Sequence, residues 1–518
     1  MENRIRKVLD RLSDGFIRAF LKDHVKHFST AIAVATGYLV AKRLYRVYLG
    51  PTSNIPGNFI DNFFNLPMMY YNIPLGTRYK YIVGLHRKYG PIVRVTGRSI
   101  SVADKHMIKQ ILHDDDLPKA KGYKNFQMEG HQTLFSTIDK EFHKTRRRVI
   151  SPAFSVKYLS ALETFMTAEV DVLMDHIRLA VETAKQHNLR TAEVDMWKLL
   201  QCTALDVIGT TAFDQSFNMV KTGQHPLPKA ISNNLASSAL RASAANIPII
   251  STLIRLYLKR RRTREMDIGE FMINIIEQRL KSGKRKNDIL QILIDSQQAE
   301  LKNDRLDNRD IVQENILFLV AGSETTSNTI GFAITHLIEY PEVLHRLQKE
   351  LDDLYPRDIR PPFQHDDLKN LPYLNAVINE TMRLKPVAMG GLPRQTHSDY
   401  LLGGKYHIPK GMLVAGNIYC CQTSPEYWPE PLAFKPERWL EGSDIPADKS
   451  AFFPFSSGSR NCIGQNFAWM EMRLILASFV YNFNIEPVPE SIEALKDLRQ
   501  YVTYTIASNS YRVRVSNR

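Results

Sequence analysis

One sulfur constrains this chain more than any other feature. Cys462 is one of only four cysteines in 518 residues, and it lies in "AFFPFSSGSRNCIGQNFAWMEMRLI", residues 451–475. A structural cysteine usually sits inside an element among aliphatic neighbours. This one sits in a Gly/Ser/Asn-rich turn that opens directly onto an apolar helical pattern, with Gly458 and Gly464 on either side and Arg460 two residues before it. A thiolate is a good metal ligand and a neutral thiol a poor one. Loop amides and the N-terminus of the following helix are expected to supply the positive potential that keeps the sulfur ionised. Gly458 and Gly464 would let the backbone aim its N–H groups at the sulfur.

The remaining cysteines, Cys202, Cys420 and Cys421, form no C-x-x-C pair, and so few in so long a chain suggest a reducing environment. The neighbours Cys420 and Cys421 read as structural. With 44% hydrophobic and 24% charged residues, the chain can bury a large core. A formal net charge of +14 admits nucleic acid, an anionic membrane or an acidic protein as partner. No arginine-rich tract or zinc-ligand spacing supports nucleic acid, which leaves the membrane and the acidic partner.

Residues 1–27 carry Ile5, Leu9, Leu12, Phe16, Phe20 and Val25 at helical spacing, with seven Lys/Arg and four Asp/Glu between them. An uncharged stretch follows, "FSTAIAVATGYLVA" from Phe28 to Ala41, closed by Lys42, Arg43 and Arg46. Alone it falls short of the roughly 20 residues that span a bilayer. Tyr45, Val47, Tyr48 and Leu49, with snorkelling basic side chains, extend it to a membrane anchor over 28–49. A mitochondrial presequence and a soluble helix are the alternatives. Residues 50–57, with Gly50, Pro51, Pro56 and Gly57, read as a stiff hinge. Residues 58–518 then read as one mainly helical unit with a small β region, without repeats or long linkers. Residues 89–103 predict a β-hairpin around Thr96-Gly97. Helical patterns cover 156–186, 196–214, 263–299, 309–340 and 341–354, and strands return near 388–416 and 500–515. The run Lys259–Glu265 reads as a solvated helix face. A unit this large exceeds the usual size of a single core, so something besides side chains is expected to fill its middle.

Zinc would require further Cys or His near Cys462, and none is present. A single thiolate suits haem iron, whose porphyrin supplies the in-plane ligands. The residues Phe455, Gly458, Arg460, Cys462 and Gly464, with Ala468 beyond, make the signature F-x-x-G-x-R-x-C-x-G. This resembles the cytochrome P450 family of haem-thiolate monooxygenases, and "FAWMEMRLILA" is most similar to microsomal, fungal members. The resemblance covers about residues 50–518. It implies a single large helical fold enclosing haem b, with Cys462 as the axial ligand.

Further motifs follow in the family's order. In "LPYLNAVINETMRLKP", Glu380 and Arg383 stand three apart on a helix ended by Pro386. Taken alone, such a pair reads as a surface ion pair. With Arg438 of "PERW" it resembles the family's buried charge network, a structural support. In "DIVQENILFLVAGSETTSNTIGFAITHLIEY", Ala321, Gly322, Glu324 and Thr325 match the oxygen-activation segment. Gly322 in a helix interior costs about 1 kcal/mol, and close approach of a flat ligand or a helix bulge would explain it. Thr325 could open that bulge by bonding the Ala321 carbonyl. The resemblance implies that Glu324 and Thr325 relay protons. In "EFHKTRRRVISPAFS", His143 and Arg147 occupy the family's W-x-x-x-R positions, with Arg146 and Arg148 as alternatives facing the haem. Arg394 and Arg460 resemble the other propionate-binding arginines. Cys421-Gln422 replaces the His-Arg of many relatives, with no evident consequence.

The resemblance implies an enzyme that inserts one oxygen atom from O2 into a lipophilic substrate, by C–H hydroxylation or epoxidation. No reductase domain follows Cys462, so electrons are expected from a separate NADPH-cytochrome P450 reductase, with cytochrome b5 as a further donor. The expected location is the endoplasmic reticulum membrane with the catalytic domain in the cytosol, or alternatively the mitochondrial inner membrane. Two rivals are a haem-thiolate isomerase or dehydratase that does not use O2, and a haem sensor without catalysis. Neither needs the Glu324-Thr325 pair. Phe126, Met128, Leu134, Phe217, Met219 and Met389 are expected along the substrate's route.

Overall fold

A computed structural model describes residues 27–64, 70–72, 74–127, 130–223, 225–244, 248–262, 267–356 and 363–518. The amphipathic pattern of residues 1–26 and the side chain of Met128 lie outside them.

The fold is organised on one central helix, Asn308–Glu339. Its start is written locally. The Asp307 carboxylate accepts from the Asp310 amide at 2.7 Å and Asp310 reaches back to the Asp307 amide at 3.3 Å, a capping box. Its end is set by Pro341, which cannot extend a helix and opens the next one, Pro341–Leu354. Three further helices pack on the central one: Met196–Phe213, Pro372–Leu384 and Gln465–Asn482. Met196–Phe213 is apolar around nearly its whole circumference, as a helix buried on all sides must be. Gly331 of the central helix allows the closest approach. A Cβ there would fall 2.6 Å from the Trp197 ring, which packs edge-on to Phe332 at 5.2 Å.

A second, smaller core lies under a four-stranded sheet. Ile92–Thr96 and Ser99–Val102 form the expected antiparallel hairpin. Leu413–Gly416 joins Ser99–Val102 in parallel, and Leu392–Gln395 joins the far side antiparallel. Ile55, Ile100, Ile108, Ile111, Val414 and Trp428 fill the core beneath it. A three-stranded sheet, Ala192–Asp195, Arg512–Asn517 and Phe483–Pro487, ties the C-terminal strand to the helical core.

Three sequence expectations change. The pattern over 263–299 is two helices, Ile268–Ser282 and Ile289–Asp295. Gly283, at φ +60°, ends the first, and the buried Asp288 caps the second while pairing with Arg279 at 2.5 Å. Of the residues expected along the substrate's route, Met219 is fully buried in the main core, and Phe217 packs between Phe213 and Phe271, ahead of helices Pro226–Ala244 and Pro248–Arg262. Finally, residues 27–48 are helical, but no helix among the described residues is long and apolar enough to cross a membrane.

The segment 50–57 is packed against the sheet. Ile55 is fully buried, the Arg94 amide donates to the Pro56 carbonyl at 2.7 Å, and Gly57 lies so close to the Arg94 carbonyl that a Cβ would sit 2.3 Å from it. The buried Arg94 guanidinium also donates to the carbonyls of Arg46 (3.2 Å) and Val47 (3.3 Å), satisfying the last turn of the 27–48 helix.

The charge network of Glu380, Arg383 and Arg438 is fully buried. Arg383 grips both Glu380 oxygens at 2.8 Å, and Arg438 Nε donates at 2.9 Å. The Trp439 indole N–H (2.9 Å) and the Lys435 amide (3.0 Å) complete the shell. Burial pushes the Glu380 carboxyl up, yet Arg383 and Arg438 outweigh it and hold the group below its ordinary range. Arg383 also donates to the carbonyls of Gln422, Pro431 and Ala433, binding the Pro372–Leu384 helix to the segment that leads to Cys462. Gln422 serves the same joint: its amide donates to Met382 and Arg383 carbonyls and its oxygen accepts from the Phe453 amide. Replacing Glu380 with Gln leaves Arg383 and Arg438 buried without a counter-charge. It is expected to cost about 3–5 kcal/mol, read as a lowered denaturation midpoint and loss of soluble protein.

Candidate active site

The cysteine loop rests on a backbone that only glycine permits. Gly458 has φ +74°, and a Cβ there would fall 2.0 Å from the Leu112 carbonyl oxygen. Gly464 aims its N–H at the sulfur as expected, from a backbone conformation that any residue adopts. Its φ is −84°, with only Phe154 within 4.0 Å of a would-be Cβ, so its contribution is an N–H directed at the Cys462 sulfur. It is also the N-cap of Gln465–Asn482, which places the sulfur at that helix's start. The Cys462 amide donates to the Phe455 carbonyl at 2.9 Å, closing the loop. Cys462 is exposed beside the loop, yet the packing around its sulfur raises the thiol more than the Gly464 amide and Arg147 lower it. A metal ion bound there would complete the ionisation, since a ligating thiol loses its proton to the ion.

Of the three consecutive arginines, Arg147 faces the loop. It donates to the Asn461 carbonyl (2.8 Å), the Asn461 side chain (2.6 Å) and the Ser459 carbonyl (3.3 Å). Arg146 turns to Asp310 and Glu314 on the central helix, and Arg148 pairs with Asp304 near the surface. Helix Lys140–Ile150, capped by Asp139, sets this division by its 3.6-residue period.

Beside the loop, cationic groups converge. Arg460 donates to the Thr137 and Asp139 carbonyls at 3.1 and 2.9 Å, and Arg394, nearly inaccessible, to the Leu117 carbonyl at 2.6 Å. Lys119, which sequence reading missed, donates to the Phe135 carbonyl at 2.6 Å and stands over the Tyr123 and Phe135 rings. Burial, then the charges of Arg460 and Arg394, bring the Lys119 ammonium down to about 7. Burial and Arg394 bring Arg460 to about 10. His143 falls to about 3, through burial and then Arg460, Lys119 and Arg147, so at neutral pH it is an uncharged imidazole with one donor. Asp116 pairs with Arg394 at 3.5 Å, and with Asp139 it offsets only part of the field that lowers Arg460. A ligand carrying two carboxylates would offset the rest, and haem carries two propionates. With the glycine-shaped sulfur loop beside it, this donor set fits the group.

The central helix supplies the other wall. Ala321 is exposed, whereas Gly322 meets the neighbouring helix: a Cβ there would lie 2.6 Å from the Ile208 side chain. Close helix–helix contact is thus one demand that this glycine meets. Thr325 Oγ1 donates to the Ala321 carbonyl at 2.8 Å as expected, but no bulge opens, and the helix stays α throughout. Glu324 is buried and bonded to Asn328, which donates to the Tyr504 carbonyl. Burial raises its carboxyl to about 7. Leu134 and Met389 are buried, and Phe126 stacks with Tyr123 and Phe135.

The model of the family described as Cytochrome P450 matches residues 57–513. The chain is 34% identical over 467 residues to the cytochrome P450 monooxygenase acrD of Aspergillus aculeatus, covering 87% of this chain and 89% of that one. It is 33% identical over 498 residues to the cytochrome P450 monooxygenase LUC2 of a Fusarium species, 94% of each chain. Human cytochrome P450 3A7 is 29% identical, over 90% of this chain and 92% of its own. The solved structure of cytochrome P450DA heme domain superposes with a TM-score of 0.74 over 90% of this chain and 97% of that one, at 23% identity, and shares the fold. The helical fold, the cysteine loop and these relatives agree: the chain belongs to the cytochrome P450 family and is a haem-dependent monooxygenase.

Proposed function

We propose that Cys462 would hold the iron of haem b as its thiolate ligand in this monooxygenase. Arg147, Arg394, Arg460, Lys119 and His143 would receive the propionates, and Phe455, Gly458 and Gly464 would shape the sulfur loop. Convergence of buried cationic groups beside that loop carries this reading. When bound, haem supplies the oxygen chemistry. Ala321 would border the bound group. Thr325, on the same turn, would turn its hydroxyl from the Ala321 carbonyl to offer its proton there, and Glu324, its carboxyl raised to about 7, would resupply it. Retention of this acid–alcohol pair favours O2-dependent insertion into a lipophilic substrate.

Electrons are proposed to come from an NADPH-cytochrome P450 reductase, with cytochrome b5 as a second donor, and the +14 formal charge suits an acidic docking face. The enzyme is proposed to sit on the endoplasmic reticulum membrane, catalytic domain in the cytosol. Two exposed apolar surfaces support a lipid contact. The 27–48 helix exposes Phe28, Val34, Tyr38 and Tyr45, and helix Pro248–Arg262 exposes Ile249, Leu253, Leu256 and Tyr257. Both carry basic residues, the pattern of interfacial helices.

Reduced, CO-treated wild-type protein should show the thiolate-type Soret band, and Cys462→His should lose it while still binding haem; an unchanged spectrum would remove Cys462 from the ligand position. Coupled turnover is expected to fall as pH rises through about 7, because Glu324 then loses the proton it donates. In Glu324→Gln that limb should flatten, and a persisting limb would assign the titration elsewhere. Ile249→Asp combined with Leu253→Asp should weaken co-sedimentation with anionic liposomes several-fold. Equal binding by the variant would clear that helix of lipid contact.

A further inference from the structure

A turn beside the central helix is tied down by an acid that the functions above leave unused. The turn, residues 133–136, closes largely on itself. The Thr137 amide donates to the Thr133 carbonyl at 3.0 Å, and the Thr133 and Ser136 side chains accept from each other's amides at 3.2 and 2.9 Å. Three outside groups then hold the segment. Arg460 donates to the Thr137 carbonyl at 3.1 Å and Lys119 to the Phe135 carbonyl at 2.6 Å, both from the cationic cluster. The third is Glu314 of the central helix, which accepts the Leu134 amide on both carboxyl oxygens, at 2.9 and 3.3 Å.

Glu314 is wholly inaccessible and Leu134 is buried. A buried amide needs an acceptor, and here a side chain 180 positions away supplies it. Burial raises the Glu314 carboxyl to about 8, against the pull of Arg146 at 3.5 Å and of the Leu134 amide. Arg146 makes its shorter contact, 2.9 Å, with Asp310. The bond to the turn, more than an ion pair, is therefore what this acid contributes.

The place of the clamp on the helix gives it a further meaning. Ala321 follows Glu314 by seven residues and Thr325 by eleven, along a helix that stays α throughout. Offsets of seven and eleven return to one face. Glu314, Ala321 and Thr325 thus form a row, with Glu314 about 10 Å along the axis from Ala321. Ala321 is exposed on that row, and the turn 133–136 is fastened to the same row two helical turns away. The Leu134 side chain packs into the main core there.

We propose that Glu314 is a positioning residue that sets the size of the substrate chamber: by holding the Leu134 amide it fixes the turn 133–136 on the row that carries Ala321 and Thr325, and with it the wall that Leu134 presents to a bulky guest. The inference rests on the proposed haem site at Cys462.

Azole titration of the haem-loaded enzyme tests it. Imidazole and 4-phenylimidazole both ligate haem iron through nitrogen and shift the Soret band, but only the second is large enough to meet a wall beyond the iron. Wild type should bind both. In Glu314→Leu the Kd of 4-phenylimidazole should rise about tenfold, the size of a lost apolar fit, while that of imidazole is unchanged. Glu314→Gln still accepts the amide and should keep the wild-type ratio of the two constants. Leu134→Ala, which removes the wall itself, should raise that ratio as Glu314→Leu does. A wild-type ratio in Glu314→Leu or in Leu134→Ala overturns the proposal, since a merely structural loss weakens both azoles alike. A Glu314→Gln ratio as high as that of Glu314→Leu also overturns it. Should Glu314→Leu fail to fold, Glu314→Ala decides by the same ratio. The reduced, CO-treated wild type separates the two readings: without the thiolate-type Soret band the haem site itself fails, and with it present the azole ratios bear on Glu314 alone.

Discussion

Everything near the candidate site hangs on one buried carboxylate. Glu380 accepts from two guanidinium groups, an indole and a backbone amide, with no water-accessible atom. Taking those charges out of water costs several kcal/mol per ion, returned only when every lone pair is used. The geometry meets that condition and adds reach. Through Arg383 the same knot holds three carbonyls of the segment approaching the cysteine loop. The loop itself is irregular backbone, with positive φ at Ser456 and Gly458, and has little stability of its own. Its shape is borrowed from the knot on one side and the Leu112 turn on the other.

The site is thus built from two kinds of constraint. Steric ones are local and exact: Gly458 against Leu112, Gly322 against Ile208, Gly331 against Trp197. Electrostatic ones are collective. Arg460 and Arg394 lower the affinity of Lys119 for protons, Arg394 lowers that of Arg460, and His143 is kept neutral by burial and the same field. An indole at position 143 would donate one hydrogen bond without charge, and so does a neutral imidazole. The departure at His143 preserves the donor count.

What the sequence revealed, and what it hid, follows from the range of the interactions. Some helix ends were legible because prolines act within four residues: Pro341 stands where one pattern stops and the next begins, and Pro386 follows the end of Pro372–Leu384. Motif residues were legible because their spacing is fixed by chemistry. The break at Gly283 was hidden by apolar residues that kept a helical rhythm on both sides of it. Choosing Arg147 over Arg146 required knowing which face of Lys140–Ile150 meets the cysteine loop. The packing of Gly322 was hidden because its neighbour, Ile208, lies 114 positions away. Lys119 was missed since one lysine in "DLPKAKGY" carries no periodic or motif signal. Glu314 was read only as part of a long helical run, and nothing short of the packed structure separates a buried acid from a solvated one.

The cluster of like charges has a consequence for the life of the polypeptide. Arg460 and Arg394 weigh on the Lys119 ammonium, and nothing on the described chain fully offsets them. A guest that binds only the native form stabilises it by RT ln(1 + [L]/Kd), and a dianionic one held here would also discharge that repulsion. Porphyrin supply would then set how much of the chain stays folded, and not its turnover alone.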